Sequence, residues 1–211
     1  MKDLSEQSVI YWRKTSLYLN ITNRCCNDCL FCVRKYRTGV FGFRLKLEND
    51  PLEDDIIQEL RENLSNKFEE VVFTGFGEPL ERLAVVENIA KEIRKIDQKI
   101  PIRLDTNGLG ELINPEMNVL AILKRSGITH ISISLNASNK EIYNKLCRPR
   151  FGLKSFNAII DFAKKAKKDF VVNFTVVNVP LINIEACKRL AENLEIPLKI
   201  REYSGPKIRF N

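Results

Sequence analysis

The sequence lacks several features that would point to a membrane, secreted or zinc-finger protein. It has no run of about eighteen apolar residues, the length that a helix needs to cross a bilayer. Residues 1–14 mix acidic, basic and polar side chains and contain no apolar stretch of the signal-peptide kind. Only one histidine, His130, occurs in the chain, and we interpret it as structural. These absences predict a soluble, cytoplasmic protein.

The composition is that of an ordinary globular domain. Charged residues make up 29% of the chain and hydrophobic residues 44%, which excludes a disordered chain or a coiled coil. A length of 211 residues suits one domain with its own core, and we expect residues 1–211 to form a single domain. The net charge of +7 fits either simple solubility or an anionic partner such as RNA or a phosphorylated small molecule.

The cysteines carry the strongest chemical signal. Four of the six fall within eight positions and two stand alone: Cys25, Cys26, Cys29 and Cys32, then Cys147 and Cys187. A disulfide framework spreads its cysteines more evenly, and cytosolic thiols stay reduced. A structural zinc site usually takes two short-spaced ligand pairs, and no second CxxC follows the first cluster. Both readings are therefore disfavoured.

Cys25, Cys29 and Cys32 have the spacing C-x3-C-x2-C and are expected to share one loop. Iron–sulfur clusters take thiolate ligands. Four thiolates would occupy all four irons of a cubane, whereas three leave one iron open, and an open metal position is typical of catalytic sites. Cys26 adjoins Cys25 and is interpreted as a packing thiol, with a role as fourth ligand as the alternative.

With Phe31 just before the last cysteine, residues 20–34 (NITNRCCNDCLFCVR) resemble the cluster loop of the radical S-adenosylmethionine (SAM) superfamily. The resemblance extends along residues 17–203. Within the superfamily, the chain resembles the group encoded beside TatD-type nucleases. That finer resemblance rests on four segments: FTGFGEPL (73–80), SLNA (134–137), LCRP (146–149) and REY (201–203).

The resemblance implies a [4Fe–4S] cluster held by Cys25, Cys29 and Cys32, with S-adenosylmethionine bound at the open iron. Reductive cleavage of that cofactor would give a 5′-deoxyadenosyl radical that abstracts hydrogen from a substrate. It also implies an electron donor such as flavodoxin or ferredoxin. The substrate stays open between RNA or a nucleotide and a peptide. Activation of a glycyl-radical partner protein is the alternative, and an electron carrier or a zinc-binding module is disfavoured.

Apolar segments of strand length alternate with amphipathic helical segments along the chain. The predicted strands are residues 16–21, 70–74, 102–105, 130–135, 171–177 and 198–202. The predicted helices are residues 52–66, 81–97, 115–125, 140–146, 153–167 and 183–194. This alternation predicts an α/β fold with a parallel sheet, and six units are too few for a closed eight-fold barrel. Together with the resemblance it predicts a partial (β/α)6 TIM-like barrel, the radical SAM core, with an open flavodoxin-like sheet as the alternative.

Both folds place ligands at the carboxyl ends of the strands, so residues there are candidate cofactor-binding residues. After the second strand, Gly75 and Gly77 let the backbone approach a ligand closely. The resemblance of this GFGEP segment to a GGEP motif implies that it, with Glu78, binds the amino group of S-adenosylmethionine. Asp105 and Asn107 follow the third strand. Asp105 suits the same ammonium group, and a plain turn cap is the alternative for both residues.

The remaining candidates follow the later strands or the cysteine loop. Ser134 and Asn136 suit a ribose or carboxylate, or else are satisfied core groups. Arg201 suits the cofactor carboxylate or an acidic substrate. Phe31 completes the cofactor-binding set.

Residues 34–46 interleave five basic side chains with three aromatic ones directly after the cysteine loop. This composition is typical of segments that hold nucleic acid or phosphorylated ligands. A lid, a partner contact and plain packing are the alternatives. We interpret Cys147 and Cys187 as buried neutral thiols and therefore predict a single cluster.

Overall fold

The computed structural model describes residues 7–208. The expectation drawn from residues 1–14 falls partly on residues 1–6, outside the described residues. None of the helices in residues 7–208 is long and apolar enough to cross a membrane. That residues 1–211 form a single domain stays a prediction.

The strands and helices follow one another in a βα order. The strands are β1 (Ile10–Arg13), β2 (Ser16–Leu19), β3 (Gly39–Val40), β4 (Phe43–Arg44), β5 (Glu70–Phe73), β6 (Ile102–Thr106), β7 (His130–Ser134), β8 (Val171–Asn178) and β9 (Leu198–Glu202). The helices are α1 (Glu53–Asn63), α2 (Leu83–Ile96), α3 (Gly110–Ile113), α4 (Val119–Arg125), α5 (Lys140–Cys147), α6 (Lys154–Ala166) and α7 (Ile184–Asn193). Two 3-10 turns cover Val33–Lys35 and Pro79–Arg82.

The sheet order confirms the partial barrel. Seven strands form one curled sheet in the order β1-β2-β5-β6-β7-β8-β9, and from β2 onward every neighbouring pair is parallel. A flavodoxin-like sheet has the order 2-1-3-4-5, with helices on both faces. Here the parallel strands follow chain order without a switch, so the flavodoxin-like alternative is wrong.

Two antiparallel hairpins were not predicted. β1 pairs with β2 across the turn Lys14–Thr15, and β3 pairs with β4 across Phe41–Gly42. A two-residue hairpin turn is usually marked by Asn-Gly, Asp-Gly or Gly-Gly. Lys14 and Phe41 instead have positive φ angles of 53° and 54° without being glycine or asparagine. The hairpin signal is therefore missing or weak in the sequence, although the structure forms both turns.

Helix starts are set by asparagine caps. The side-chain oxygens of Asn118, Asn139 and Asn183 each accept the backbone N–H three residues ahead, at the starts of α4, α5 and α7. The helix predicted from residue 115 therefore begins at Val119. The separate short helix α3 (Gly110–Ile113) was not predicted.

Strand alternation separates an apolar outer face of the sheet from a polar inner face. Ile102 and Leu104 in β6, like Ile131 and Ile133 in β7, are fully buried against the helices. Each such side chain contributes roughly 1.5–3 kcal/mol on burial. The residues between them on β6 and β7 are polar and face the concave side. The concave face is therefore where a polar ligand can be held.

Candidate active site

A cavity of about 480 Å³ opens at the carboxyl ends of the parallel strands. Sites for small ligands typically have this size. Every residue predicted to hold metal or cofactor lines this one cavity: Cys25, Phe31, Cys29, Cys32, Gly75, Gly77, Glu78, Asp105, Asn107, Ser134, Asn136 and Arg201. The chain thus brings together residues from five separate loops or strands.

The cavity distinguishes the two adjacent cysteines. Cys25 lines it, whereas Cys26 is only 5% exposed and belongs to the hydrophobic core. The side-chain amide Nδ2 of Asn107 lies 3.2 Å from Cys26 Sγ and 3.9 Å from Cys25 Sγ. Cys26 is therefore buried in the core, whereas Cys25 faces the cavity with Cys29 and Cys32; that Cys26 is no ligand stays a prediction.

Asn20 fixes the chain where it leaves β2 for the cysteine loop. Its side chain is fully buried and donates to the carbonyls of Ser8 (3.1 Å) and Leu45 (2.8 Å). Its oxygen accepts the backbone N–H of Phe76 at 3.1 Å. One buried amide thus joins the start of the cysteine loop to the glycine-rich loop after β5, a link that sequence patterns did not reveal.

Arg34 also holds the backbone of the cysteine loop. Its guanidinium donates to the carbonyls of Asn23 (3.0 Å) and Asn27 (2.9 Å). Lys35 forms an ion pair with Asp28 at 2.7 Å. The first two basic residues of segment 34–46 therefore hold the cysteine loop, which leaves the later ones as candidates for contacting a ligand.

The segment 146–150 forms a platform beneath the cysteine loop. Its backbone exchanges four hydrogen bonds with that loop: Asp28 N to Cys147 O (3.0 Å) and to Arg148 O (3.4 Å), Leu30 N to Leu146 O (2.9 Å) and Arg150 N to Cys26 O (2.8 Å). Asn27 adds a side-chain hydrogen bond to Tyr143 Oη at 2.8 Å. The turn that allows this pairing places Arg148 at a φ of +44°. The LCRP segment therefore supports the cysteine loop.

Gly75 and Gly77 are required by packing against the cysteine loop. A Cβ on Gly75 would lie 2.0 Å from Asn20 Oδ1, and one on Gly77 would lie 2.4 Å from the carbonyl of Thr22. No side chain fits at such distances. The close approach that glycine allows here is made to the protein's own backbone and to Asn20, while both glycines still line the cavity.

Glu78 ties the glycine-rich loop to the end of β6. Its buried carboxylate accepts hydrogen bonds from Thr106 Oγ1 (2.7 Å), Asn107 N (2.7 Å) and Leu80 N (3.1 Å). Burial raises the pKa of Glu78 to about 7, although these three hydrogen bonds oppose the shift. The sequence predicted a ligand contact, and the structure adds an anchoring role for this side chain.

Asp105 and Arg201 meet across the concave face. Arg103 Nε lies 3.0 Å from Asp105 Oδ1, and the Arg201 guanidinium lies 3.7 Å from Asp105 Oδ2. Burial raises the pKa of Asp105, while the two arginines act against that rise. Half of the Arg201 side chain is exposed, so Arg201 has room for an additional anionic group.

Further along the sheet, some of the polar side chains already form hydrogen bonds within the protein. Asn136 adopts a φ of +50°, and its Oδ1 accepts the backbone N–H of Val177 at 3.2 Å. Ser134 lies beside Thr175 in the register and both line the cavity. Thr175 was missed by the sequence reasoning, although alternation along β8 places it on the concave face.

The mouth of the cavity carries aromatic and basic side chains that the site prediction did not include individually. Tyr36, Arg37 and Phe41 reach it from segment 34–46, and Tyr203 reaches it from the end of β9. Phe41 is 50% exposed, and Arg13 lies over its ring at 4.3 Å from the centroid. The mouth therefore combines flat apolar faces with positive charge.

The donor chemistry fits an iron–sulfur cluster. Within residues 7–208, no three His, Cys, Asp or Glu side chains are arranged to hold a metal ion. A cubane differs from a single ion because each cysteine binds a separate iron, so its thiolates surround the cluster without converging on one point. Burial raises the pKa of the Cys25 thiol to about 12 and also raises that of Cys32. Soft metal centres that bind thiolate displace such protons on binding.

The chain is similar to several known proteins. The family model described as the radical SAM superfamily matches residues 19–194. A GTP 3′,8-cyclase from Petrotoga mobilis is 32% identical over 133 residues, which cover 63% of this chain and 38% of the relative. A probable dual-specificity RNA methyltransferase RlmN from Dictyoglomus turgidum is 26% identical over 136 residues, which cover 63% of this chain and 37% of the relative. The chain thus spans less than half the length of these relatives.

Solved structures show the same fold. The crystal structure of Streptococcus suis SuiB bound to S-adenosylmethionine covers 93% of this chain and 43% of SuiB, with 20% identity and a TM-score of 0.70. The structure of the radical S-adenosylmethionine methyltransferase TsrM from Kitasatospora setae, with cobalamin and a [4Fe–4S] cluster bound, covers 89% of this chain and 36% of TsrM. Its identity is 13% and its TM-score is 0.55.

Proposed function

The chain belongs to the radical SAM superfamily, and from that premise we propose that it cleaves S-adenosylmethionine reductively at a [4Fe–4S] cluster and abstracts hydrogen from an anionic substrate. Together the two cofactors supply a primary carbon radical that removes the hydrogen atom. A single observation carries the proposal: three cysteines and all other candidate cofactor residues line one cavity at the carboxyl ends of the strands. The finer resemblance to the group encoded beside TatD-type nucleases stays a prediction.

Cys25, Cys29 and Cys32 would hold the cluster, and the surrounding chain fixes their loop. Arg34 and the platform 146–150 both hydrogen-bond to its backbone. A loop held by so many hydrogen bonds needs little rearrangement when its ligands bind, which favours a defined site. An electron donor such as flavodoxin or ferredoxin belongs to this proposal.

The residues after β5 and β6 would hold the methionine end of S-adenosylmethionine. Glu78 anchors the glycine-rich loop, whose carbonyls suit an ammonium group. Asp105 offers negative charge to the same ammonium, and Arg201 offers positive charge to the carboxylate. Ser134 and Asn136 line the same cavity and would suit a ribose or carboxylate of the cofactor.

The substrate class is inferred from the mouth of the cavity. Arg37 and Arg201 supply positive charge there, and Phe41 and Tyr203 supply aromatic surface. A nucleotide or RNA matches both properties, because it carries phosphates and flat bases. This favours an anionic nucleotide-type substrate over a neutral peptide.

Isotope transfer tests the function directly. Anaerobically reconstituted protein, reduced with dithionite, is incubated with S-adenosylmethionine and deuterated nucleotides, RNA fragments or peptides. We expect 5′-deoxyadenosine to form slowly without substrate and to gain deuterium from a nucleotide-type substrate. Deuterium from a peptide alone would overturn the substrate class, and failure to form 5′-deoxyadenosine with a fully loaded cluster would overturn the reaction.

Asp105→Ala supplies the matched test of cofactor binding. We expect its affinity for S-adenosylmethionine to fall about tenfold, or about 1.4 kcal/mol, because the ammonium loses its carboxylate. Arg125→Ala, at an exposed helix end paired with Glu87, is the control and should bind normally. Unchanged affinity of Asp105→Ala for S-adenosylmethionine would show that Asp105 serves only to balance the charge of Arg103.

A further inference from the structure

Two tyrosine side chains meet across the open side of the half-barrel. The pair β1 and β2 forms one end of the strand order, and β9 forms the other. Tyr36 follows the cysteine loop, which leaves β2, and Tyr203 directly follows β9. Their ring centroids lie 6.0 Å apart with 84° between the ring planes, which is an edge-to-face contact. This contact therefore joins the two ends of the sheet at the carboxyl ends of the strands.

The same two rings stand at the mouth of the cavity. Tyr36 and Tyr203 line it together with the three candidate ligands Cys25, Cys29 and Cys32. Both tyrosines are half-buried. A ligand that enters between the two ends of the sheet therefore has to pass the contact between these rings.

The short turn after β9 fixes the direction of the Tyr203 ring. Tyr203 Oη donates a hydrogen bond to the carbonyl of Pro206 at 2.9 Å. A Cβ on Gly205 would lie 2.3 Å from Tyr203 Oη, so only glycine lets the turn fold back onto the ring. The ring is therefore held by its hydroxyl group on the side of β9.

Tyr36 is attached to the cysteine loop through its backbone. Its N–H donates to the carbonyl of Val33 at 3.1 Å and ends the 3-10 turn. The guanidinium of the exposed Arg37 lies 5.8 Å from the Tyr36 ring centroid. An edge-to-face pair favours contact over separation by only roughly two- to tenfold. The two rings can therefore separate while the turns that carry them stay in place.

We propose that Tyr36 and Tyr203 form an aromatic gate, which closes the mouth of the cavity and determines by width which ligands enter. The consequence for substrate choice rests on the proposed function. A single nucleotide or the end of a strand passes when the rings separate, whereas a wide folded substrate is kept from the cysteines. The two tyrosines are therefore specificity-determining residues.

The test measures access to the cavity in the full chain without a cluster. Cys25, Cys29 and Cys32 are the reporters, and Cys187, which is 0% exposed on α7, reports unfolding. The protein is treated anaerobically with N-ethylmaleimide or with the much wider fluorescein maleimide, which has the same reactive group. Mass spectrometry of cysteine peptides gives the rate at each site.

The variants remove or keep the rings. We expect Tyr36→Ala and Tyr203→Ala to speed the reaction of the cavity cysteines with fluorescein maleimide roughly two- to tenfold, because the contact that favours the closed gate is lost. The rate with N-ethylmaleimide should change little. The double variant should react no faster than either single variant, because either loss opens the same gate. Tyr36→Phe and Tyr203→Phe keep the rings and should react as the wild type does.

Two results would overturn the gate. One is an equal response to both reagents in Tyr36→Ala and Tyr203→Ala, including no response to either. The other is an equal acceleration at Cys187, which would assign the change to unfolding. Because these rates need no cluster, a gate that behaves as expected in a protein that forms no 5′-deoxyadenosine would leave this inference standing and end the proposed function. Normal isotope transfer without the selective acceleration would do the reverse.

Discussion

The two sides of the half-barrel are built differently. Around the cysteine loop, buried polar side chains each serve several partners: Asn20 bonds three backbone groups and Glu78 accepts three hydrogen bonds. At the opposite edge, β9 is exposed along most of its length, and Arg201 has one long ion pair. The difference indicates that the side of the cysteine loop is preorganised, whereas the β9 edge leaves its contacts free.

The contrast between Cys25 and Cys26 gives the largest expected effect. Cys25→Ala removes one of the three proposed cluster ligands, so anaerobic reconstitution should yield little or no [4Fe–4S] cluster. Cys26→Ala removes a packing thiol and should keep the cluster, at a stability cost of roughly 1–2 kcal/mol for a small buried side chain. Iron counts, absorption spectra and urea unfolding measure both. A cluster that survives in Cys25→Ala and is lost in Cys26→Ala would exchange the two roles.

Replacing Arg34 tests whether the cysteine loop depends on the hydrogen bonds that hold its backbone. Arg34→Ala leaves the carbonyls of Asn23 and Asn27 without their charged donor, and hydrogen bonds to charged groups are worth about 1.5–3 kcal/mol each. We expect unfolding free energy to fall by about 2–3 kcal/mol and the cluster to be lost more quickly on exposure to chelator.

Arg37→Ala is the matched control, because Arg37 lies three residues on and is exposed at the cavity mouth. It should unfold and hold iron as the wild type does. Equal behaviour of the two variants would mean that the cysteine loop does not need Arg34.

The titration of Glu78 makes the free energy of unfolding dependent on pH. Its folded-state pKa of about 7 lies above the ordinary value of 4.5, so the folded protein binds more protons than the unfolded chain between these values. The contribution of Glu78 is therefore fully present below about pH 4.5 and is lost as pH rises towards 7. Urea unfolding of the cluster-free protein should show this decline.

Glu78→Gln removes the titration and should flatten the decline. Because the amide replaces one acceptor oxygen among three donors, we also expect a loss of about 1–3 kcal/mol at low pH. An identical pH slope in wild type and Glu78→Gln would assign the decline to another group. Asp105, whose pKa is also raised by burial, is the next one to replace.

Sequence patterns predicted the repeating strands of the sheet and the candidate residues at their ends. The six parallel strands appear within two residues of their predicted ends because hydrophobic periodicity sets them. Their position at the carboxyl ends of predicted strands marked Asp105, Ser134 and Arg201 as candidate ligand residues. Spacing predicted three ligand cysteines, and the structure gathers all of these residues in one cavity.

The hydrogen bonds that hold the cysteine loop and the glycine-rich loop were not predictable, because they join residues far apart in sequence. Tyr143 meets Asn27 across 116 positions, and Glu78 meets Thr106 across 28. No local pattern encodes such pairs. Gly75 and Gly77 show the limit most clearly: glycine signalled a close approach, but not that the neighbour is the cysteine loop.

The smallest expected effect concerns the exposed residues at the cavity mouth. Arg37 is exposed at the cavity mouth, where a phosphate of the proposed substrate would meet it. Each lost phosphate contact lowers the salt dependence of single-stranded nucleic-acid binding by about 0.7 in log–log slope. Arg37→Ala should therefore weaken binding of a short RNA a few-fold at low salt and reduce the slope by that amount, measured by fluorescence anisotropy. Lys188→Ala, on the outside of α7 and paired with Glu185, should leave the slope unchanged. If both variants bind RNA like the wild type, Arg37 does not recognise phosphate at the cavity mouth. Substrate selection must then depend on other residues.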